Sequence, residues 1–286
     1  MVNERRVPVY AWIGLIVMLV SEAGMLARVE PFFSWHTPIA WTGYILFVDG
    51  LVWRRRGNSF IRNAPAELCF IAAASVPLWL VFEGYNKCCL GNWYYVGLPD
   101  SRALRYLGYT WSFATIWPAI FETAELVSAL RDRRAPRTRA DPHRAYPLGT
   151  FGWLSIVAGA VMLAVPVLFP SPYLAAPVWL GFFFLLDPLN ARAAEESILG
   201  DWREGRRGRL LNLAIAGLVC GVVWEFWNYW AGTKWIYSVP ILPHVRVFEM
   251  PILGYGGFPA FALECFAMYM AVRRWLWRGA RRPISV

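Results

Sequence analysis

The sequence predicts an all-α integral membrane protein, with eight transmembrane helices arranged as a tandem parallel repeat of two four-helix units, residues 1–143 and 144–286. Three observations carry that expectation. Hydrophobic residues make up 58% of the chain and charged residues only 16%, where a soluble domain carries about 25% charged residues. Apolar runs of bilayer-spanning length, about 20 residues each, recur at 8–27, 35–53, 65–86, 105–130, 148–169, 172–190, 209–230 and 251–272. Finally, one pattern occurs twice. Glu83, Asn86, Trp93, Tyr95 and Glu122 reappear as Glu225, Asn228, Trp235, Tyr237 and Glu264, every pair 142 residues apart. A weaker match at offset 138 joins Trp41, Gly43, Asp49 and Arg54 to Trp179, Gly181, Asp187 and Arg192, which implies four extra residues in one connection of the second half.

Taken in order, the first run follows the basic stretch Met1–Arg6. It is too long for a signal-peptide core and lacks a small-residue cleavage site, so it reads as a retained helix. The second run carries Val48-Asp49-Gly50 and is followed by Arg54-Arg55-Arg56. The third ends in Glu83 and Asn86, which share a helix face at this spacing. The outer loop 87–104 contains Trp93-Tyr94-Tyr95. Its rings suit the membrane interface, lying flat or folding back as a lid. The fourth run places Glu122 and Glu125 on one face, and the polar stretch 131–144 reads as a solvated linker. The second half repeats this order through Asp187, Glu225, Asn228, an outer loop 231–250 with Trp235-Ile236-Tyr237, and Glu264. Four runs per unit make both halves enter the membrane in the same direction, with a pseudo-two-fold axis along the membrane normal.

The net charge of +9 invites a nucleic-acid partner, but its distribution argues otherwise. Of the 28 Lys and Arg, all but Arg28, Lys87, Arg102, Arg105, Lys234 and Arg246 lie in one alternating set of connections or at the adjoining helix ends. That is the positive-inside pattern, which places both termini in the cytoplasm of a multi-pass protein of the inner membrane. The basic clusters suit anionic lipid heads rather than nucleic acid. The cysteines show no zinc-like spacing, and His36, His143 and His244 form no Glu-x-x-His pair. No metal or cofactor is expected from these residues.

Carboxylates in apolar surroundings are costly, by a few kcal/mol each on insertion scales. Glu83 and Glu225 near the outer ends, with Glu122 and Glu264 deeper, are therefore either functional acids or bonds between helices. Asp49 and Asp187, each with an Arg five residues on, suit a salt bridge or helix-end contact. Trp224 to Trp230 surrounds Glu225 with π-faces, which stabilise cations.

Trp224-Glu225-Phe226 at the end of an apolar run resembles the Trp-Glu-Phe segment of membrane-embedded terpene cyclases of meroterpenoid pathways. Val48-Asp49-Gly50 resembles their Val-Asp-Gly segment. The resemblance implies that Glu225 and Asp49 are acids that protonate an epoxide or alkene and launch cyclisation of a prenyl chain. That family has about seven spans and undoubled acids, and here Glu225 and Asp49 approach opposite leaflets. The residues alone favour Glu225 with Glu264, or Glu83 with Glu122, as the working pair.

The expected function is acid-initiated chemistry on an isoprenoid or other lipid: cyclisation, hydration or isomerisation. In that reading Glu225 or Glu83 donates the proton, and Asn228 or Asn86 orients it. Glu264 or Glu122 is the partner carboxylate, and Trp224, Trp93, Trp235, Tyr95 and Tyr237 line the substrate. The alternatives are a cation or proton-coupled lipid transporter, since four Glu and two Asn supply the oxygens a hard cation takes, and a non-catalytic assembly partner. The charge pattern generates the first test. External thiol labelling should reach Cys88 or Cys89 and miss a cysteine placed at position 138; the reverse pattern would invert the topology.

Overall fold

The computed structural model describes residues 5–131 and 144–284. The first half runs α1 (Val9–Leu26), α2 (Phe32–Arg56), the short α3 (Phe60–Asn63), α4 (Pro65–Tyr85), a π-helical turn (Asn86–Leu90), strand β1 (Trp93–Val96) and α5 (Arg102–Arg131). The second half runs α6 (Gly149–Leu168), α7 (Ala175–Arg192), the short α8 (Ile198–Arg203), α9 (Gly208–Trp230), β2 (Lys234–Tyr237), β3 (Arg246–Val247), β4 (Met250–Pro251) and α10 (Gly257–Leu276). The protein is helical throughout, apart from two small antiparallel ribbons, β1–β2 and β3–β4.

Among the described residues, six helices are both long and apolar enough to cross a membrane: α1, α4 with its π-turn, α5, α6, α7 and α9. Eight such runs were expected. The other two long helices, α2 with 25 residues and α10 with 20, have the length. They lack the apolarity, because α2 carries His36, Asp49 and Arg54-Arg55-Arg56, and α10 carries Glu264, Arg273 and Arg274. The last run was also expected over 251–272, yet α10 begins at Gly257 and the outer loop extends to it. Pro240, Pro243 and Pro251 withhold the N–H groups a helix needs, and Gly254, Gly256 and Gly257 weaken it further. The interior of the expected linker, 132–143, and the extreme chain ends lie outside the described residues.

Small residues set the closest crossings, as usual where helices lack a hydrophobic drive to associate. α1 packs on α2 and α6 packs on α7. A methyl group on Gly14 would lie 2.4 Å from the Gly43 carbonyl oxygen, and one on Gly159 would lie 2.6 Å from that of Gly181. The recurrence of Gly43 as Gly181 therefore has a physical reason: a backbone crossing too tight for any side chain. Within each half, α2 and α4 flank α5, and α7 and α9 flank α10. The halves meet where α5 packs on α9 and where β1 pairs with β2.

At the end opposite the strands, buried charges tie the halves together. Arg273 on α10 donates to Glu196 Oε1 at 2.8 Å and lies 3.4 Å from Glu67 Oε1 on α4. Arg209 donates to Glu196 Oε2 at 2.6 Å. The chain after α10 folds back into the bundle, where the Arg282 N–H donates to Glu67 Oε2 at 2.8 Å and its side chain to Glu125 Oε2 at 3.0 Å. Ile284 ends fully buried. Removing one member of such a network strands its partners without solvent. Arg273→Met should cost about 3–5 kcal/mol, read as a lowered unfolding midpoint in detergent, whereas the exposed Arg278→Met should leave it nearly unchanged.

Candidate functional site

The site is built where α4 and α9 end. Asn86 donates its Nδ2–H to the Trp93 carbonyl at 2.8 Å, and its Oδ1 accepts from the backbone N–H of Asn92 at 2.7 Å and Trp93 at 3.1 Å. Asn228 does the same seven residues on, donating to the Trp235 carbonyl at 2.8 Å and accepting from its N–H at 2.9 Å. A carboxamide matches one residue's C=O and N–H together, so each Asn pins its strand to its helix end. This corrects the sequence reading, which had Asn86 and Asn228 orient the glutamates: both amides are occupied by strand backbone.

The pinned strands pair antiparallel, with Trp93 opposite Tyr237, Tyr94 opposite Ile236 and Tyr95 opposite Trp235. Adding 142 to the first member of the central pair gives the second, so the register maps onto itself. Gly97, at φ +65°, is required at the exit of β1, since a Cβ there would sit 2.0 Å from the Gly232 carbonyl oxygen.

Behind the strands lie the two acids. Glu83 Oε1 accepts from Tyr95 Oη at 2.5 Å, and from the indole N–H of Trp79 and Trp93, each at 3.1 Å. Glu225 Oε1 accepts from the Tyr237 hydroxyl at 2.7 Å, while the Trp235 indole N–H donates to the Tyr237 oxygen at 2.8 Å. Glu225 is fully buried and its Oε2 has no hydrogen-bond partner. Burial raises the phenol pKa of both Tyr95 and Tyr237 well above the usual range, and the adjacent carboxylates add to the effect.

In front of the strands is a cavity of about 440 Å³ between the halves, within the usual span of ligand pockets, roughly 300–1,000 Å³. Its wall is almost wholly apolar and aromatic. Trp41, Trp79, Trp93, Trp179, Trp224 and Trp235 all face it, as do Tyr95 and Tyr237. The Trp41–Trp179 recurrence was visible in the sequence; Trp79, Phe113 and Phe261 carried no signal there. Neither Glu83 nor Glu225 lines the cavity, because the tyrosines and indoles stand between.

The remaining candidates lie elsewhere, which corrects the expected pairings. Glu122 is fully buried beside the Asp49 carboxyl, and neither of its oxygens meets a donor. It sits twenty residues into α5, about 30 Å along at 1.5 Å per residue, too far down to meet Glu83. Glu264 Oε1 accepts from the Phe182 N–H at 2.9 Å on α7 and does not pair with Glu225. Asp49 accepts from Tyr10 Oη at 2.6 Å and the Ile61 N–H at 2.9 Å on α3. Asp187 accepts from the N–H groups of Ile198 and Leu199, both at 2.8 Å, at the start of α8. Both aspartates thus hold helix ends on the side away from the cavity, and Asp49 does not share a pocket with Glu225. Glu22 lies 3.4 Å from His36 Nε2, and Ser21 Oγ is 2.9 Å from His36 Nδ1, a buried contact between α1 and α2 that sequence spacing does not reveal. Among the described residues no three His, Cys, Asp or Glu side chains are grouped so as to hold a metal ion, so the four-glutamate cage is not formed.

No protein-family model, curated protein or solved structure matches the chain. The site must be read from its own chemistry. The Asn clamps predict that Asn228→Ala leaves one backbone donor and one acceptor unpaired at the end of α9, costing about 1–3 kcal/mol each. Amide hydrogen exchange at Trp235 should accelerate strongly, while exchange in α6 should not change.

Proposed function

We propose that this protein is a membrane-embedded enzyme that binds an isoprenoid or other lipid in the aromatic cavity and initiates its chemistry by protonation. One observation carries the reading: two carboxylates, equivalent at a 142-residue offset, each stand one tyrosine behind an apolar cavity walled by indoles. An apolar wall suits a hydrocarbon chain, and π-faces stabilise a carbocation once it forms. A positioned acid supplies the proton that makes one. Cyclisation, hydration and isomerisation all begin with that step.

In the same reading the chain is a duplicated four-helix unit with eight spans, α2 and α10 included, and both termini in the cytoplasm of the inner membrane. Support comes from the identical Asn clamps, the self-mapping strand register and the matched glycine crossings. The basic helix ends and buried arginines then face the cytoplasm, and the cavity faces the outer leaflet. A cation carrier is less well supported, since the carboxylates do not gather around one centre.

Glu225→Gln keeps the shape and much of the hydrogen bonding of the acid but carries no transferable proton. Product formation from extracted lipids should fall about 10²–10⁴-fold with the unfolding midpoint retained. A folded variant with unchanged product yield would remove Glu225 from the chemistry. Loss of lipid or ion flux in liposomes, with no product from the wild type, would replace the enzyme by a transporter.

A further inference from the structure

The two acids sit in chemically different surroundings although their positions correspond. In the first half, Trp93 gives its indole N–H to Glu83. In the second, the corresponding Trp235 gives its N–H to the Tyr237 oxygen instead. Trp79 adds another donor to Glu83; the residue at the matching position 142 later is Gly221, whose place is filled by the Phe258 ring. Glu83 Oε1 therefore collects three N–H and O–H donors. That is the coordination of an anion, because each donor strengthens on a negative oxygen. Glu225 has the Tyr237 hydroxyl at Oε1, with the Trp235 indole N–H close by but directed at the tyrosine oxygen, and a buried Oε2 with no partner. A carboxylate so poorly solvated is costly, whereas a neutral carboxylic acid is tolerated.

We infer that the halves have divided the work: Glu225 holds the transferable proton and Tyr237 hands it to the substrate, while Glu83 is a fixed carboxylate that never gives one up. This rests on the enzyme reading above and assigns the catalytic contact to a residue other than the glutamate. Tyr237 gives its hydrogen to Glu225 Oε1 when the acid is a carboxylate. Once Glu225 is protonated the contact reverses: Oε1–H and the Trp235 N–H both donate to the Tyr237 oxygen, and the tyrosine's own hydrogen is released toward the cavity it lines. Tyr95 also gives its hydrogen to its glutamate, but there the contact stays that way, because Glu83 Oε1 already holds two indole N–H donors and remains an acceptor.

The step balances without any further reagent. The Tyr237 O–H bond breaks as the π-electron pair of an alkene, or a lone pair of an epoxide oxygen, takes the proton. The Tyr237 oxygen takes the proton of Glu225 in the same movement. The phenol is unchanged, Glu225 becomes a carboxylate, and the substrate becomes a cation. Glu83 stabilises that cation through the Trp79 and Trp93 indoles, whose rings are enriched by giving their N–H groups to an anion. Loss of a proton from a carbon beside the final cationic centre back through Tyr237 restores Glu225 and yields an isomer of the starting lipid.

Two measurements test the division. Infrared spectra of the purified protein in lipid nanodiscs, in H₂O and D₂O, should contain a protonated-carboxyl stretch that Glu225→Gln removes and Glu83→Gln leaves in place. Absence of any loss in Glu225→Gln, or an equal loss in Glu83→Gln, overturns the assignment. This readout needs no substrate, so it decides the protonation states even if no lipid is ever turned over and the enzyme reading fails. In the product assay, Tyr237→Phe should lower kcat at least about 10²-fold with KM little changed, and Tyr95→Phe by less than about tenfold. Equal losses in the two folded variants, or a greater loss in Tyr95→Phe, would refute Tyr237 as the proton-transferring group.

Discussion

A polar atom inside a helix bundle surrounded by hydrocarbon has no water to turn to, so it must find its partner in the protein. That constraint organises this fold from one end to the other. At the strand end it is met by two asparagines, each closing off the backbone groups of the strand that follows its helix. At the opposite end it is met by arginines and glutamates that neutralise one another in the interior, with the C-terminal stretch folded back to complete the set. Between these ends the helices approach through glycine, where no polar group has to be buried at all.

The same constraint explains why the cavity is formed where it is. The Asn clamps hold β1 and β2 rigidly enough to pair across the halves. Pairing places Tyr95 and Tyr237 between the acids and the cavity, bonded to the first and lining the second. The Trp79, Trp93 and Trp235 indoles do likewise, giving their N–H groups to Glu83 or the Tyr237 oxygen while lining the cavity. An apolar chamber with two carboxyl groups directly behind its wall results.

Positions 142 residues apart are alike in the strands and their Asn clamps and unlike in the chemistry around the acids. The outer part of the second half unwinds into β3, β4 and a loop where the first half continues as α5. Trp79 in α4 faces the cavity, while the matching Gly221 in α9 admits the Phe258 ring. These substitutions leave the strand register intact and change only the donors around each acid. The two paired strands therefore stand in front of two carboxyl groups with unlike surroundings.

Much of this was legible in the chain itself. Composition and run length point to a lipid-facing helical protein, since charges are few for a soluble chain of this size. The 142-residue offset singled out Glu83, Glu225, Trp93, Tyr95 and their counterparts, because recurrence is a property of the letters and needs no coordinates. What the letters could not carry was partnership. Asn86 and Asn228 stand three residues from their glutamates on the same face, yet their amides turn to the strand backbone. Glu122 looked like a partner for Glu83, but the length of α5 carries it down to Asp49. Glu67, Glu196 and Arg273 are far apart in sequence and meet only in the bundle. Hydrogen bonds and burial depend on distances across helices, so the tertiary structure alone decided which acids are bonds and which stand behind the cavity.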